Sequence, residues 1–228
     1  MDPALGSLIA ASAALVVTHF TLSHPLRPVL AKGLGEGGFL GLYSLVAAAC
    51  MVWMYYAFTA IPVQQTPLWP GFDDVSWAIG SLLTLVALVL FTGSLTGNPA
   101  LPAPGAAEAA EREPAGVFRV TRHPMMWGFA FWAIAHILAA PTARTLTVST
   151  AILVLALVGA YLQDRKKARL MGNSWRTWQG TTTFWPRLAE LPRAGFTVWI
   201  IATALWLALT YAHLHAGDWA AGIWRWVP

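Results

Sequence analysis

Charge and cysteine are both scarce in this sequence. Of its 228 residues only 11% are charged and 57% are hydrophobic, whereas charged residues make up about a quarter of an ordinary soluble domain. The single cysteine, Cys50, lies in an apolar stretch and excludes a disulfide framework, a CxxC redox pair and a thiolate zinc site. The net charge of +4 is modest and is better explained by membrane topology than by nucleic-acid binding. The chain is therefore predicted to lie in a lipid bilayer and to bind no nucleic acid.

Six apolar segments carry few or no charges, and they cover residues 4–20, 39–61, 77–95, 125–140, 146–163 and 197–213. A helix needs about 20 residues to cross the hydrocarbon core, so the fourth segment, which is short and contains His136, is the weakest. The first has no basic residues ahead of it and no obvious cleavage site, which predicts a retained helix rather than a signal peptide. The fold class is thus all-α, a single polytopic membrane bundle of about six transmembrane helices.

The few basic residues are unevenly distributed. Twelve of the 14 follow the first, third and fifth segments, and only Arg144 and Arg225 lie on the other side. Because cytoplasmic loops carry the excess of lysine and arginine, these connections are predicted to be cytoplasmic and both termini periplasmic. The prediction is a multi-pass protein of the bacterial inner membrane.

Two of the predicted cytoplasmic connections are unlike plain loops. Residues 98–116 are rich in proline, alanine and glutamate, which indicates a polar loop or a short surface helix. Residues 164–194 begin with a basic run and then mix arginine with tryptophan and phenylalanine. This composition predicts an amphipathic segment lying on anionic lipid headgroups.

Motifs of common enzyme chemistry are absent: the sequence has no phosphate-binding glycine motif, HExxH, GxSxG or pair of intramembrane carboxylates. Histidine is the remaining candidate for chemistry. Ionisable groups in or at the ends of apolar helices are costly, so a functional role is the first interpretation, although each histidine could be structural. The six are His19, His24, His123, His136, His213 and His215.

Position along the helices separates His136, His213 and His215 from a site shared with the other three histidines. His136 is predicted to lie about 20 Å from the His123 end of the same helix, which excludes a shared ion and leaves a structural role or a second polar site. His213 and His215 lie at and beyond the end of the last segment and are predicted to be solvated. His19 is about one and a half helical turns from His24 and could line the same pocket.

His24 and His123 each adjoin a proline at a predicted helix boundary, and they are predicted to lie at the same depth. Two imidazoles that converge from different helices suit an iron porphyrin, which takes one axial ligand on each face. Arg27, Arg119 and Arg122 could pair with its propionates. The same pattern also makes ordinary helix caps, so the residues alone leave both heme binding and a structural role open.

Two blocks of the sequence resemble the NnrU family. Residues 19–45 contain Ser-His-Pro-Leu-Arg at 23–27, and residues 121–138 contain Thr-Arg-His-Pro-Met at 121–125. The resemblance covers most of residues 7–190 and implies a polytopic membrane protein associated with nitrite and nitric oxide respiration. The family is also related to 15-cis-zeta-carotene isomerase, a heme b enzyme whose motif histidines correspond to His24 and His123.

This resemblance implies heme b as cofactor, with His24 and His123 as metal ligands and catalytic residues. The leading expectation is then redox-dependent cis–trans isomerisation of a lipophilic polyene such as zeta-carotene, although the sequence leaves open whether the protein is an enzyme. The alternative is a non-catalytic membrane factor that supports nitrite and nitric oxide respiration by handling heme or a quinol. The oligomeric state stays open.

A third possibility comes from a resemblance to the isoprenylcysteine carboxyl methyltransferase superfamily. Its Arg-His-Pro motif corresponds to residues 122–124, and its later aromatic and Pro-Arg elements correspond to residues 172–187. The resemblance implies binding of S-adenosylmethionine. The acidic pair of that superfamily is replaced here by Asp164 and Arg165, which counts against the shared reaction and makes Asp164 a secondary candidate beside His19 and His136.

Overall fold

The computed structural model describes residues 2–217 and 220–227, and these residues contain helices and no strand. Eight α-helices follow one another as α1 (Pro3–Ser23), α2 (Arg27–Thr59), α3 (Asp74–Gly93), α4 (Ala106–Ala110), α5 (Pro124–Ala139), α6 (Ala143–Met171), α7 (Asn173–Thr181) and α8 (Phe196–Gly217). Short 3-10 turns lie at Gly116–Arg119, Leu188–Ala194 and Gly222–Arg225.

Five of the helices, α1, α2, α3, α6 and α8, are long and apolar enough to cross a membrane. The predicted all-α polytopic bundle is therefore confirmed. The fourth predicted segment corresponds to α5, which is apolar but has only 16 residues, a length of about 24 Å. α5 packs between α3 and α6, so protein rather than lipid covers much of this short helix.

The close approach of α3 and α5 depends on glycine. A Cβ atom added to Gly128 of α5 would lie 2.8 Å from the carbonyl oxygen of Ala87 in α3, and one added to Gly80 would lie 3.4 Å from the Cβ of Ala139. Small residues let helix backbones pack closely where lipid offers no hydrophobic driving force. The contact therefore fixes α5 firmly against α3.

The interior consists of two hydrophobic clusters. One lies between α1 and α2 and includes Leu8 and Met54, and the other gathers α3, α5 and α7 around Leu90, Trp127 and Trp175. Helix α6 contacts both α1 and α5. Helix α6 therefore lies between the two clusters, and one cluster packs against each of its sides.

Two helix boundaries differ from the predicted ones, at the end of α6 and at the start of α2. α6 continues through Met171, eight residues beyond 163, since the buried Lys167 donates hydrogen bonds to the carbonyls of Pro99 and Leu101 at 2.9 and 3.2 Å. α2 begins at Arg27 rather than 39 and bends at Gly35, where φ is 72°.

The two unusual connections are both partly helical. Residues 98–116 contain the short helix α4. Residues 164–194 divide into the end of α6, the helix α7 and a 3-10 turn. α7 buries Trp175 and Trp178 almost completely, so these aromatic side chains pack on the protein.

Candidate functional site at the basic end of the bundle

One end of the bundle collects most of the charge. α1, α3 and α6 end there, and α2, α5 and α8 begin there. The contacts of Arg122 with Asp164 and of Lys167 with Pro99 join these connections in space. This end, called the basic end below, carries 12 of the 14 lysine and arginine residues.

A buried ion-pair cluster, the Asp164 cluster, consists of Arg122, His123 and Asp164. The Arg122 Nε donates to the two carboxylate oxygens at 3.0 and 2.9 Å, and its Nη2 donates to Oδ2 at 2.6 Å. The His123 Nε2 lies 2.9 Å from Oδ1. The side chains of Arg122, His123 and Asp164 are 13%, 0% and 10% exposed. α5 and α6 are therefore joined by charge-assisted hydrogen bonds.

The backbone before α5 holds the two motif side chains in place. His123 is the N-cap residue and Pro124 begins the helix, where its missing N–H has no intrahelical partner to lose. The Arg122 N–H donates to the Thr183 carbonyl at 2.8 Å, and the Thr121 hydroxyl donates to the Phe184 carbonyl at 2.7 Å. The start of α5 is thus fixed by the segment that follows α7.

The ion pair determines how the His123 ring is protonated. An ionised carboxylate only accepts hydrogen bonds, so Nε2 must carry the hydrogen that Asp164 Oδ1 receives. Within the described residues Nδ1 is buried without a partner, as is the Nε1 of the neighbouring Trp175, whose ring centroid lies 6.3 Å away. Unpaired polar atoms are rare in protein interiors, so a water or a ligand group could bind between these rings.

Beside the cluster lies a pocket of about 530 Å³, called the Asp164 pocket below. Its lining combines the polar residues Arg122, Asp164, Arg165 and Gln179 with the aromatic residues Tyr161, Phe184 and Trp185. Tyr161 and Trp185 are 56% and 69% exposed. The pocket therefore combines hydrogen-bond donors with an aromatic rim that opens outward.

His24 has a different environment at the same end of the bundle. Its Nδ1 lies 2.8 Å from the Ser23 hydroxyl, and its buried Nε2 has no side-chain partner within the described residues and lies beside the backbone of Leu162. Partial burial and the nearby Lys166 ammonium hold the pKa of His24 below its ordinary value. The neutral imidazole is therefore favoured in the folded protein.

The two motif histidines contact opposite faces of α6. His24 lies by Leu162 and Lys166, whereas His123 contacts Asp164. At about 100° per residue, Asp164 projects about 160–200° away from both of those positions. Axial ligands of one porphyrin must face each other across the ring, so this arrangement does not fit a heme held between His24 and His123.

The other predicted site residues are divided between these two regions. Arg27 pairs with Glu36, and His19 Nε2 forms a hydrogen bond with the Tyr43 hydroxyl, near His24. Arg119 lies 4.0 Å from Glu190. His136 lies near the far end of α5 and belongs to neither region.

Sequence reasoning missed most of the Asp164 pocket. The sequence places Arg165, Gln179, Phe184 and Trp185 in the basic-aromatic segment and in the stretch that resembles the methyltransferases, but it does not predict that they line one pocket. The available signal was Asp164 itself, because a carboxylate at the end of an apolar helix needs a cationic partner, and Arg122 lies at the start of another such helix.

The fold and this site define a polytopic helical membrane protein with a buried ion-pair cluster and an adjoining pocket at one end. A family model described as NnrU protein matches residues 7–219, and the chain belongs to this family. No curated protein and no solved structure shows significant similarity to it. The predicted NnrU resemblance is confirmed, and the relation to the isomerase and methyltransferase families stays a prediction.

Proposed function

We propose that this NnrU protein is a membrane factor that binds a lipophilic molecule with a polar head, of the isoprenoid quinone class, in the Asp164 pocket. Through that molecule it supports nitrite and nitric oxide respiration. The observation that carries the proposal is a pocket lined by both polar and exposed aromatic residues, located near the end of a membrane-spanning helix.

Unused hydrogen-bond donors in the pocket favour a ligand with acceptor atoms. Arg165 forms no ion pair within the described residues, and its guanidinium lies 5.9 Å from the centroid of the Tyr161 ring. Gln179 also lines the pocket and has no side-chain hydrogen bond among those residues. Quinone carbonyls accept hydrogen bonds, whereas a hydrocarbon such as zeta-carotene would leave both donors unpaired.

The exposed aromatic rim suits the rest of such a molecule. Phe184 and Trp185 offer flat faces for a ring, with their own centroids 5.6 Å apart. Tyr161 lies on the membrane-spanning part of α6 and is exposed. An isoprenoid tail can therefore leave the pocket sideways into lipid.

Quenching of tryptophan fluorescence by decylubiquinone tests this proposal on the detergent-purified chain. Saturable quenching is expected, and Arg165→Gln should weaken binding about tenfold through the loss of a charged donor. Arg169→Gln is the matched control, because Arg169 lies one turn further along α6 and does not line the pocket; its affinity should stay within about twofold of the original. Non-saturable quenching, or equal affinity in both variants, would contradict the proposal.

A heme-dependent isomerase is the second candidate, and one observation favours it. The buried Nε2 of His24 has no side-chain partner within the described residues, and Lys166 and Arg169 lie close enough to lower the pKa of that ring, so they could pair with propionates. His24 would be a single axial ligand in this version. A Soret band after heme reconstitution, lost in His24→Ala and retained in His123→Ala, would support it over quinone binding.

Methyl transfer is the third candidate, supported by the contact of Asp164 with Arg122 and His123 of the Arg-His-Pro motif. It requires a bound methyl donor. A rise in melting temperature with S-adenosylmethionine, without any change on quinone addition, would replace the quinone proposal with this one.

A further inference from the structure

A second pair of histidines meets at the opposite end of the bundle. His136 lies in the last turn of α5, and His213 lies near the end of α8. Their ring centroids are 6.5 Å apart, with the ring planes inclined by 38°. His136 is half-buried and His213 is exposed, so the pair is accessible from outside the bundle.

Both rings are held in the same way by their own helices. The His136 Nδ1 lies 2.8 Å from the Trp132 carbonyl, and the His213 Nδ1 lies 2.7 Å from the Leu209 carbonyl. A carbonyl only accepts, so each Nδ1 carries a hydrogen and each Nε2 of a neutral ring presents a lone pair. Neither Nε2 has a hydrogen bond to the residues that the structure describes.

This is the arrangement of metal-binding histidines, which typically donate the N–H of the other nitrogen to a carbonyl or carboxylate. The Trp132 ring also lies against His136, with centroids 4.1 Å apart, and restricts the orientation of the imidazole. The two neighbouring imidazoles therefore each keep an Nε2 atom available for a ligand.

We propose that His136 and His213 bind one transition-metal ion through their Nε2 atoms. A metal–nitrogen bond of about 2 Å and an imidazole half-width of about 1.2 Å put each ring centroid about 3 Å from a bound ion. Two rings on one ion then have centroids about 5–6.5 Å apart, depending on the angle at the metal. The observed separation of 6.5 Å lies at the wide end of that range, so the two rings are close enough to share one ion.

The ligand set indicates the class of ion. Imidazole suits copper, zinc, nickel and iron, and copper(II) binds most tightly in the series of divalent ions. Within the described residues, no third histidine, cysteine or carboxylate completes the pair. The other coordination positions are left to water or an external ligand, which distinguishes this site from a closed structural zinc site.

Copper(II) titration of the tag-free, chelator-treated chain in detergent tests the proposal. One copper ion should bind per chain, with an electron paramagnetic resonance spectrum split by two nitrogens. His136→Ala and His213→Ala should each lower the affinity at least about tenfold and reduce the nitrogen splitting. Should His136→Ala not fold, His136→Asn provides the same comparison.

His215→Ala is the matched control, because His215 lies on the same helix, projects about 200° away from His213 and contacts Tyr211 instead. It should keep the affinity within about twofold and leave the spectrum unchanged. The proposal is overturned if copper does not bind, if His213→Ala binds it as the original chain does, or if His215→Ala weakens binding equally.

Discussion

The two histidines of the His-Pro motifs, His24 and His123, both lie at the basic end of the bundle but differ in burial and in the charge of their neighbours. His123 is completely buried and faces the carboxylate of Asp164, whereas His24 is half-buried and faces the cations Lys166 and Arg169. Each is followed by proline at a helix boundary. The comparison shows that the His-Pro motif places a histidine at a helix end. The neighbouring helix then determines the charge and the hydrogen-bond partners around its imidazole ring.

The two faces of α6 contact different groups and should contribute differently to the stability of the protein. On the Asp164 face a buried ion pair joins α6 to α5, and desolvation makes any unpaired member costly. On the Leu162 face, cations and partial burial favour a neutral His24. The Asp164 face should therefore make the larger contribution to the free energy of unfolding. The Leu162 face should contribute mainly to the pH dependence of that free energy.

The largest expected effect is that of Asp164→Ala. It leaves the Arg122 guanidinium, which is 13% exposed, without its buried counter-charge, and breaking such a pair costs about 3–5 kcal/mol. Unfolding free energies from SDS titration in mixed micelles measure the loss. The double variant Arg122→Met with Asp164→Leu should be less destabilised than Asp164→Ala, because neither charge is then left alone.

Asp74→Ala provides the control for this prediction. Asp74 also pairs with an arginine, Arg225, at 2.8 Å, but its side chain is 76% exposed. Exposed pairs contribute about 0–1 kcal/mol. Equal losses in Asp164→Ala and Asp74→Ala would show that the Asp164 cluster is not buried as the structure has it.

A smaller effect is expected when the two histidines are compared directly at pH 7.5. His123→Gln removes one hydrogen bond to a charged group and should cost about 1–3 kcal/mol, since Arg122 still holds the carboxylate. His24→Gln should change stability by about 0.5 kcal/mol or less. The same SDS titration measures both, and an equal or larger loss at His24 would reverse the comparison.

The sequence predicts the bundle well because hydropathy and charge are local properties. The all-α polytopic class and the five long helices follow from apolar length, whereas the end of α6 at Met171 lies beyond the apolar segment and its basic run. The position of α5 agrees with the predicted segment. Its packing against α3 and α6, which allows a helix shorter than a typical span, is not visible in a hydropathy pattern.

The candidate site is less predictable because it depends on helix rotation. His24 and His123 were correctly expected at one end of the bundle, but which face of α6 each one contacts is set by the packing of α1 and α5. Asp164 has an identifiable signal as an isolated carboxylate near a helix end. His136 and His213 are 77 residues apart in the sequence, and only the fold shows that their rings meet.

The smallest expected effect is the pH dependence contributed by His24. Its folded-state pKa lies below the ordinary value of 6.5 because of burial first and the Lys166 ammonium second. As the pH falls, the imidazole of His24 therefore takes up a proton in the unfolded chain before it does so in the folded chain. The contribution of this group to the free energy of unfolding is fully present above pH 6.5 and decreases as the pH drops below that value. Melting temperatures between pH 7.5 and 5.5 should decrease more for the original chain than for His24→Gln, because the variant lacks this group. Parallel curves would show that His24 is no more sheltered than an exposed histidine, and the contrast between the two faces of α6 would then rest on Asp164 alone.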